Sequence, residues 1–160
     1  MKGSKVLKLL FLVGVLTLAL GAGQAMAQSI QFQVSATVGR YCSIDATALG
    51  FGGYNPLDTA PVLANSTISI RCTRGTTAYI ALNDGTHGAR QMDAGTGLTL
   101  GYELFQDNAR LVAWGTGAAR YQYSATNSAS HDIPVYGRVP AGQDVPEGNY
   151  TDTVTATIEF

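Results

Sequence analysis

Cys42 and Cys72 are the two side chains in this sequence best suited to a covalent bond with each other. They form no CxxC motif, and no neighbouring His or Cys completes a redox or metal site around either one. An even cysteine count in an exported chain points to one structural disulfide. The segment it closes, counted inclusively, is 31 residues long. The chain-entropy argument gives such a loop ~3.5–4 kcal/mol of stabilisation.

Other chemistry finds less support. His87 and His131 are the only histidines, and each sits in a polar stretch. Metal sites need three or four ligands, and no spacing here groups a histidine with several acids. A serine nucleophile on a sharp elbow needs G-x-S-x-G, which is absent. His131 and Asp132 are adjacent, and neighbours on a strand point to opposite faces. Glu103, Glu147 and Glu159 are the only glutamates, and glycoside hydrolysis needs two carboxylates facing across a cleft. Glu159 falls out of phase with the apolar residues around it. Gly50-Phe51-Gly52-Gly53 lacks the strand-loop-helix context of a dinucleotide site. Trp114, Tyr121 and Tyr123 fall in or near a long irregular stretch, where exposed aromatics would suit a sugar or an abiotic surface. Asn65-Ser66-Thr67 and Asn149-Tyr150-Thr151 match the glycosylation sequon.

The front of the chain sets the compartment. Lys2, Lys5 and Lys8 precede an apolar run of 12 residues, 9–20, and Ala25-Met26-Ala27 supplies a small–x–small cleavage pattern. Residues 1–27 therefore read as a signal peptide. The run is too short for a spanning helix, which needs roughly 20 apolar residues. Cleavage after Ala27 leaves 133 residues, enough for one domain with its own core. The remainder has no lysine, and seven arginines against eleven acids give it a net charge of −4. That balance argues against nucleic acid as a partner. It also removes the lysine of a phosphate loop or a Schiff-base enzyme. Eight tyrosines, one tryptophan and four phenylalanines in the mature part argue against disorder.

The elements that position these residues are strands. Alternation broken by turn residues recurs at the spacing of a β-sandwich, with almost no helical periodicity. Residues 28–38 alternate Ile30, Phe32, Val34, Ala36 and Val38 against Gln31, Gln33, Ser35 and Thr37. Short strands are expected at 41–44, 66–72, 78–82, 98–104, 111–114 and 133–139. Pro134 places that last strand at an edge, because proline lacks the ladder donor. Residues 115–131 read as loop with one poor strand. The clearest strand is 150–160, alternating Val154, Ala156, Ile158 and Phe160 against Thr153, Thr155, Thr157 and Glu159. No later residues supply a strand to cover it, and an apolar edge left bare is an aggregation hazard. Residues 28–38, from this chain or another, match the need.

Taken in order, these features resemble the spore coat protein U domain family, which includes subunits of archaic chaperone–usher pili. The resemblance rests on the alternating Val34-Ser35-Ala36-Thr37-Val38 ahead of Cys42, on Leu49-Gly50-Phe51-Gly52, and on the strand ending in Cys72. It continues through Leu82-Asn83-Asp84-Gly85, Leu100-Gly101-Tyr102-Glu103-Leu104-Phe105-Gln106-Asp107, and Gly148-Asn149-Tyr150-Thr151-Asp152-Thr153-Val154 to Phe160. Thr86 stands where the pattern would carry a second glycine.

The resemblance implies an all-β, immunoglobulin-like sandwich over residues 39–160, incomplete by one strand and complemented by a donor strand. Residues 28–38 would be that donor, through Ile30, Phe32, Val34, Ala36 and Val38. The accepting border would be the C-terminal strand with Tyr150, Val154, Ala156, Ile158 and Phe160. A periplasmic chaperone would first lend a strand. An outer-membrane usher would then exchange it for the next pilin subunit's, giving a surface fibre for adhesion or biofilm formation. No enzyme activity, cofactor or metal is implied. A single domain of this length is similar to shaft or minor subunits rather than two-domain tip adhesins. A coat-layer protein and a secreted carbohydrate-binding sandwich are the alternatives.

Overall fold

The structure is a computed structural model, and it describes residues 25–95 and 97–160. The signal-peptide expectation for 1–27 falls almost wholly outside the described residues. The chain divides into two units, residues 1–36 and 37–160. In the first, residues 25–36 form no helix or strand and are exposed. The alternating segment is in no ladder: Ile30 is 91% exposed, Phe32 82% and Val34 83%. A strand is defined by the edge it pairs with, and here the alternation has none.

The second unit is all β. Its strands are β1 (Cys42–Ala46), β2 (Val62–Cys72), β3 (Thr77–Leu82), β4 (Gln91–Asp93), β5 (Thr99–Gly101), β6 (Glu103–Phe105), β7 (Tyr121–Ser124), β8 (His131–Val139) and β9 (Ala156–Glu159), with a 3₁₀ turn at Gly117–Ala119. One sheet has the order β1-β2-β8-β6 and the second β7-β3-β9; β4 and β5 form a small ribbon. All pairs are antiparallel. The inward residues of the two sheets, including Ile68, Ile70, Ile80, Leu82, Ile133, Val135 and Val139, meet in one core. Trp114 is 2% exposed, and its indole N–H donates to the Ile80 carbonyl at 2.9 Å. Cys42 and Cys72 are joined in a disulfide that pins β1 to the end of β2.

The domain has two distinguishable ends. β3 begins five residues after Cys72, and Glu159 of β9 pairs with Tyr79 near that beginning. Cys42, Cys72 and the end of β9 therefore share the disulfide end. Ala46, Val62, Leu82 and the start of β9 share the far end.

Four details depart from the sequence reading. β8 is interior, between β2 and β6, despite Pro134. The geometry explains the tolerance: Pro134 lies opposite Thr67, whose backbone N–H and C=O are both engaged by Thr47 on the other side. That pair carries no ladder bond, and the proline nitrogen faces the side where β6 has already ended at Phe105. Residues 98–104 are two short strands in different sheets, broken at Tyr102, whose N–H donates to the Arg90 carbonyl. Residues 111–114 form only an isolated bridge, Ala113 to Phe105. Of 150–160, only Ala156–Glu159 pairs as a strand. The stretch ahead of it is held by a bridge from Thr151 to Asp93 and by Asn83, whose side-chain oxygen takes the Thr155 N–H at 2.8 Å.

Candidate functional site

A long apolar groove runs between the two sheets, with a volume of about 1070 Å³. Its floor is Ile68, Leu82, Leu100, Tyr102, Leu104 and Val135. Its walls are the end of β1 at Ala46, with Thr47 and Ala48 after it, and the segment leading into β9, with Val154 and Ala156. Leu49, Phe51 and Tyr54 close over it from the loop after β1. That loop lies tight on β8 because residue 137 is glycine: a Cβ there would sit 2.9 Å from the Phe51 ring and 3.0 Å from Leu49. The Tyr54 hydroxyl anchors the loop, donating to the Pro140 carbonyl and accepting the Gln143 N–H.

Both walls are unpaired edges, and their register shows what they offer. On β3, the Leu82 N–H donates to Gly115 and the Ile80 carbonyl accepts Trp114. Both groups point away from β9. Antiparallel partners alternate between bonded and non-bonded pairs. Leu82–Ala156 and Ile80–Ile158 are thus the non-bonded pairs, and the N–H and C=O of Ala156 and Ile158 face the open side. On β1, Tyr41 and Thr47 bond to Thr73 and Thr67. Cys42, Ile44 and Ala46, in the opposite phase, face outward. In both strands the outward-facing backbone belongs to residues that also present an inward side chain. At Ala46 and Ala156, the residues of β1 and β9 that line the groove, a strand entering it would meet outward backbone groups beside an apolar trough.

The sheet order says which strand is lacking. In a seven-stranded immunoglobulin-type sandwich the sheets are ABED and CFG. Here β1-β2-β8-β6 reproduces A-B-E-D, β3 and β9 take the places of C and F, and β7 is added beyond C. Among the described residues, no strand takes the place of G.

The expected accepting residues line or flank this groove. Tyr150, Val154 and Ala156 line it, and Ile158 packs half-buried on the core. Tyr150 precedes β9, its hydroxyl donating to the Pro146 carbonyl, and Phe160 is 49% exposed just after it. Trp114 and Tyr121 pack together at 5.2 Å, with Trp114 in the core, so the aromatic cluster is packing rather than a sugar platform. His131 stacks on Tyr123. Glu103 pairs with Arg138 at 2.6 Å and Glu159 with Arg120. Among the described residues, no three His, Cys, Asp or Glu side chains are grouped to hold a metal ion.

One polar cluster escaped the sequence reading. The Asp152 side chain is 2% exposed, at the far end of the groove. Burial raises its pKa, but the Tyr102 hydroxyl and the N–H groups of Thr153, Thr86 and His87 outweigh that and hold it below the ordinary value. Tyr102 donates at 2.7 Å and Thr86 at 2.8 Å. Burial beside this carboxylate pushes the Tyr102 hydroxyl pKa up. Thr86 also donates its hydroxyl to the Thr153 carbonyl, so the residue in the place of a second glycine ties this turn to the accepting edge. Arg90 lies beneath, its guanidinium donating to the carbonyls of Leu82 and Trp114. The signal in the sequence was Asp84-Gly85: a Cβ at Gly85 would lie 1.8 Å from the Asp152 carboxylate.

Comparison with known proteins agrees with this geometry. The sequence matches the Spore Coat Protein U domain family over residues 28–157. It is 33% identical over 161 aligned positions to Protein U of Myxococcus xanthus, covering 89% of this chain and 90% of that one. The fold is similar to a chain in the crystal structure of the CsuC–CsuE chaperone–tip adhesion subunit pre-assembly complex from the archaic chaperone–usher Csu pili of Acinetobacter baumannii. That similarity has a TM-score of 0.57 and 30% identity, and it covers 78% of this chain and 41% of that one. The chain belongs to the spore coat protein U domain family.

Proposed function

We propose that this protein is a non-enzymatic pilin subunit that polymerises by donor-strand exchange. The observation that carries this reading is the groove: an apolar trough between two unpaired edges, at the place of the missing seventh strand. Residues 28–38 have the complementary pattern, with Ile30, Phe32, Val34, Ala36 and Val38 on one face. Burying four residues of that size and an alanine contributes on the order of 7–12 kcal/mol gross, before ordering costs and new ladder bonds. In this reading residues 1–27 direct export. A periplasmic chaperone fills the groove first, and an outer-membrane usher exchanges it for the next subunit's residues 28–38. The product is a surface fibre that serves adhesion or biofilm formation.

The test uses the full mature chain. Wild type should give a ladder of polymers that withstands mild detergent and collapses on heating. Val34→Asp should abolish the ladder, because a charge would enter the middle of the trough. The same variant should still bind a synthetic peptide of residues 28–38, since its own groove is intact. A Val34→Asp chain that polymerises like wild type rules out this register. The family's description, Spore Coat Protein U domain, favours a second reading, a coat subunit using the same groove. A sheet-like layer rather than linear fibres would select it.

A further inference from the structure

The charges that the ion pairs leave over are separated along the long axis of residues 37–160. At the disulfide end, Arg40, Arg71 and Arg74 are all exposed, and none is in an ion pair. Arg71 and Arg74, with Tyr41 and Ser128, line a shallow concavity of about 510 Å³, and the Arg71 Nε–H donates to the Ser128 carbonyl at 2.9 Å. The acids near this end are already engaged: Asp45 accepts the Ala46 N–H, Asp132 accepts the Ser69 hydroxyl, and Glu159 pairs with Arg120. The far end is the reverse. Asp144 and Glu147 are exposed on the loop after β8, and Asp58 and Asp93 lie in neighbouring segments, none of the four in an ion pair. The far end's arginines are occupied, Arg138 by Glu103, Arg90 by backbone carbonyls and Asp84, and Arg110 by the Gly137 carbonyl and the Asn65 side chain.

We infer that these two ends form a second, electrostatic contact between successive copies of this chain, the 144–147 loop of one seating against Arg40, Arg71 and Arg74 of the next. The inference rests on the polymer reading above. A chain that hands over residues ahead of Cys42 assembles head to tail, so its contacts are heterologous and repeat along the fibre. The handed-over segment leaves its own domain beside Arg40. If it emerges from the acceptor at the far end, near Tyr150, three arginines meet the exposed carboxylates of Asp144 and Glu147, while Asp58 and Asp93 nearby accept hydrogen bonds from the Asn55 side chain and the Gly95 N–H. If it emerged at the disulfide end, arginines would meet arginines. The charge distribution favours the first arrangement, steers the approaching subunit and penalises the reverse docking.

Polymer growth of the full mature chain, followed by light scattering in low and high salt, tests this. Two double variants are compared, Arg40→Glu with Arg74→Glu, and Asp144→Lys with Glu147→Lys, together with the fourfold combination. Arg40 and Arg74 have no side-chain partner to lose, so the first variant keeps the fold. Each double variant should slow growth by about tenfold at low salt, the scale of electrostatic steering. The gap should close in about 0.5 M salt, where screening acts over a few Å. The fourfold variant should regain the wild-type rate to within about threefold, a recovery that a damaged groove would not show. Equal rates throughout, slowing by only one double variant, or slowing that neither salt nor the combination relieves would overturn the contact while leaving strand exchange standing. A wild-type chain that forms no polymer overturns the strand-exchange reading first, and the contact with it.

Discussion

The two outer sides of the β7-β3-β9 sheet carry similar residues and end up in opposite states. On the β7 side, the backbone of Ile80 and Leu82 is answered by Trp114 and Gly115, and Trp114 fills the space above with its ring against Tyr121. On the β9 side, Val154, Ala156 and Ile158 are half-buried, and among the described residues no strand pairs with the outward edge of β9. One side is a finished core and the other a core awaiting a strand. The comparison teaches that apolar alternation is equally good at building either. What separates them is whether a further piece of the same domain closes the layer.

The comparison can be broken by truncating each side in turn. Trp114→Ala should destabilise the isolated mature chain by about 3–5 kcal/mol, since a buried tryptophan is lost and the Ile80 carbonyl is orphaned. Val154→Ala should cost the isolated chain under about 1 kcal/mol, because the side chain is only half-buried. In the polymer the ranking should narrow, with Val154→Ala lowering the detergent or heat resistance of the ladder. Denaturant unfolding of the monomer beside thermal dissociation of the polymer measures both. Equal monomer costs at the two positions would mean that the groove is closed in solution.

A second cut falls at the disulfide end. Replacing Cys42 and Cys72 together by alanine should cost about 2–4 kcal/mol, the usual range for a loop of this size. The loss should appear in the denaturant midpoint. β1 should loosen first in hydrogen exchange, because it is an edge strand with a single neighbour. Protection across β3 and β7 that falls as far as that of β1 would contradict an edge role for the bridge.

A pH-dependent effect is expected at the far end. The carboxyl of Asp152 is held below its ordinary pKa, so its contribution is fully present above the unfolded carboxylate range. It is lost as pH falls below about 4, toward the folded value. Asp152→Asn should therefore destabilise at neutral pH by about 1–2 kcal/mol, with the difference from wild type shrinking in acid. Midpoints of unfolding measured from pH 7 down to about 3 check this against the unfolded carboxylate range. A constant difference across that range would mean that the hydrogen bonds of Asp152 do not depend on its charge.

Much of the fold was legible because the strands expected at 41–44, 66–72, 78–82 and 133–139 are marked by extended or alternating segments that turn residues punctuate, and each overlaps an observed strand. The disulfide followed from cysteine count and export. The chemistry of the Asp152 cluster was not legible. Tyr102, Thr86 and Asp152 lie far apart in sequence, and a buried carboxylate carries no local signature beyond the small residue that makes room for it. The interior position of β8 was misread because proline rules describe an average strand. Whether a missing N–H matters depends on which side of the ladder that residue faces.

The sequence by itself determined that the chain is all β, that Cys42 and Cys72 pair, and that residues 28–38 and the end of the chain each have one apolar face. Those properties are set by side-chain alternation and by residue type, both local. Only the tertiary structure decided that β8 is interior, that Trp114 closes one side of the sheet, and that β1 and β9 are left as edges around an apolar groove. Those outcomes depend on which strands come to lie side by side, and strand order is fixed by the packing of the whole domain.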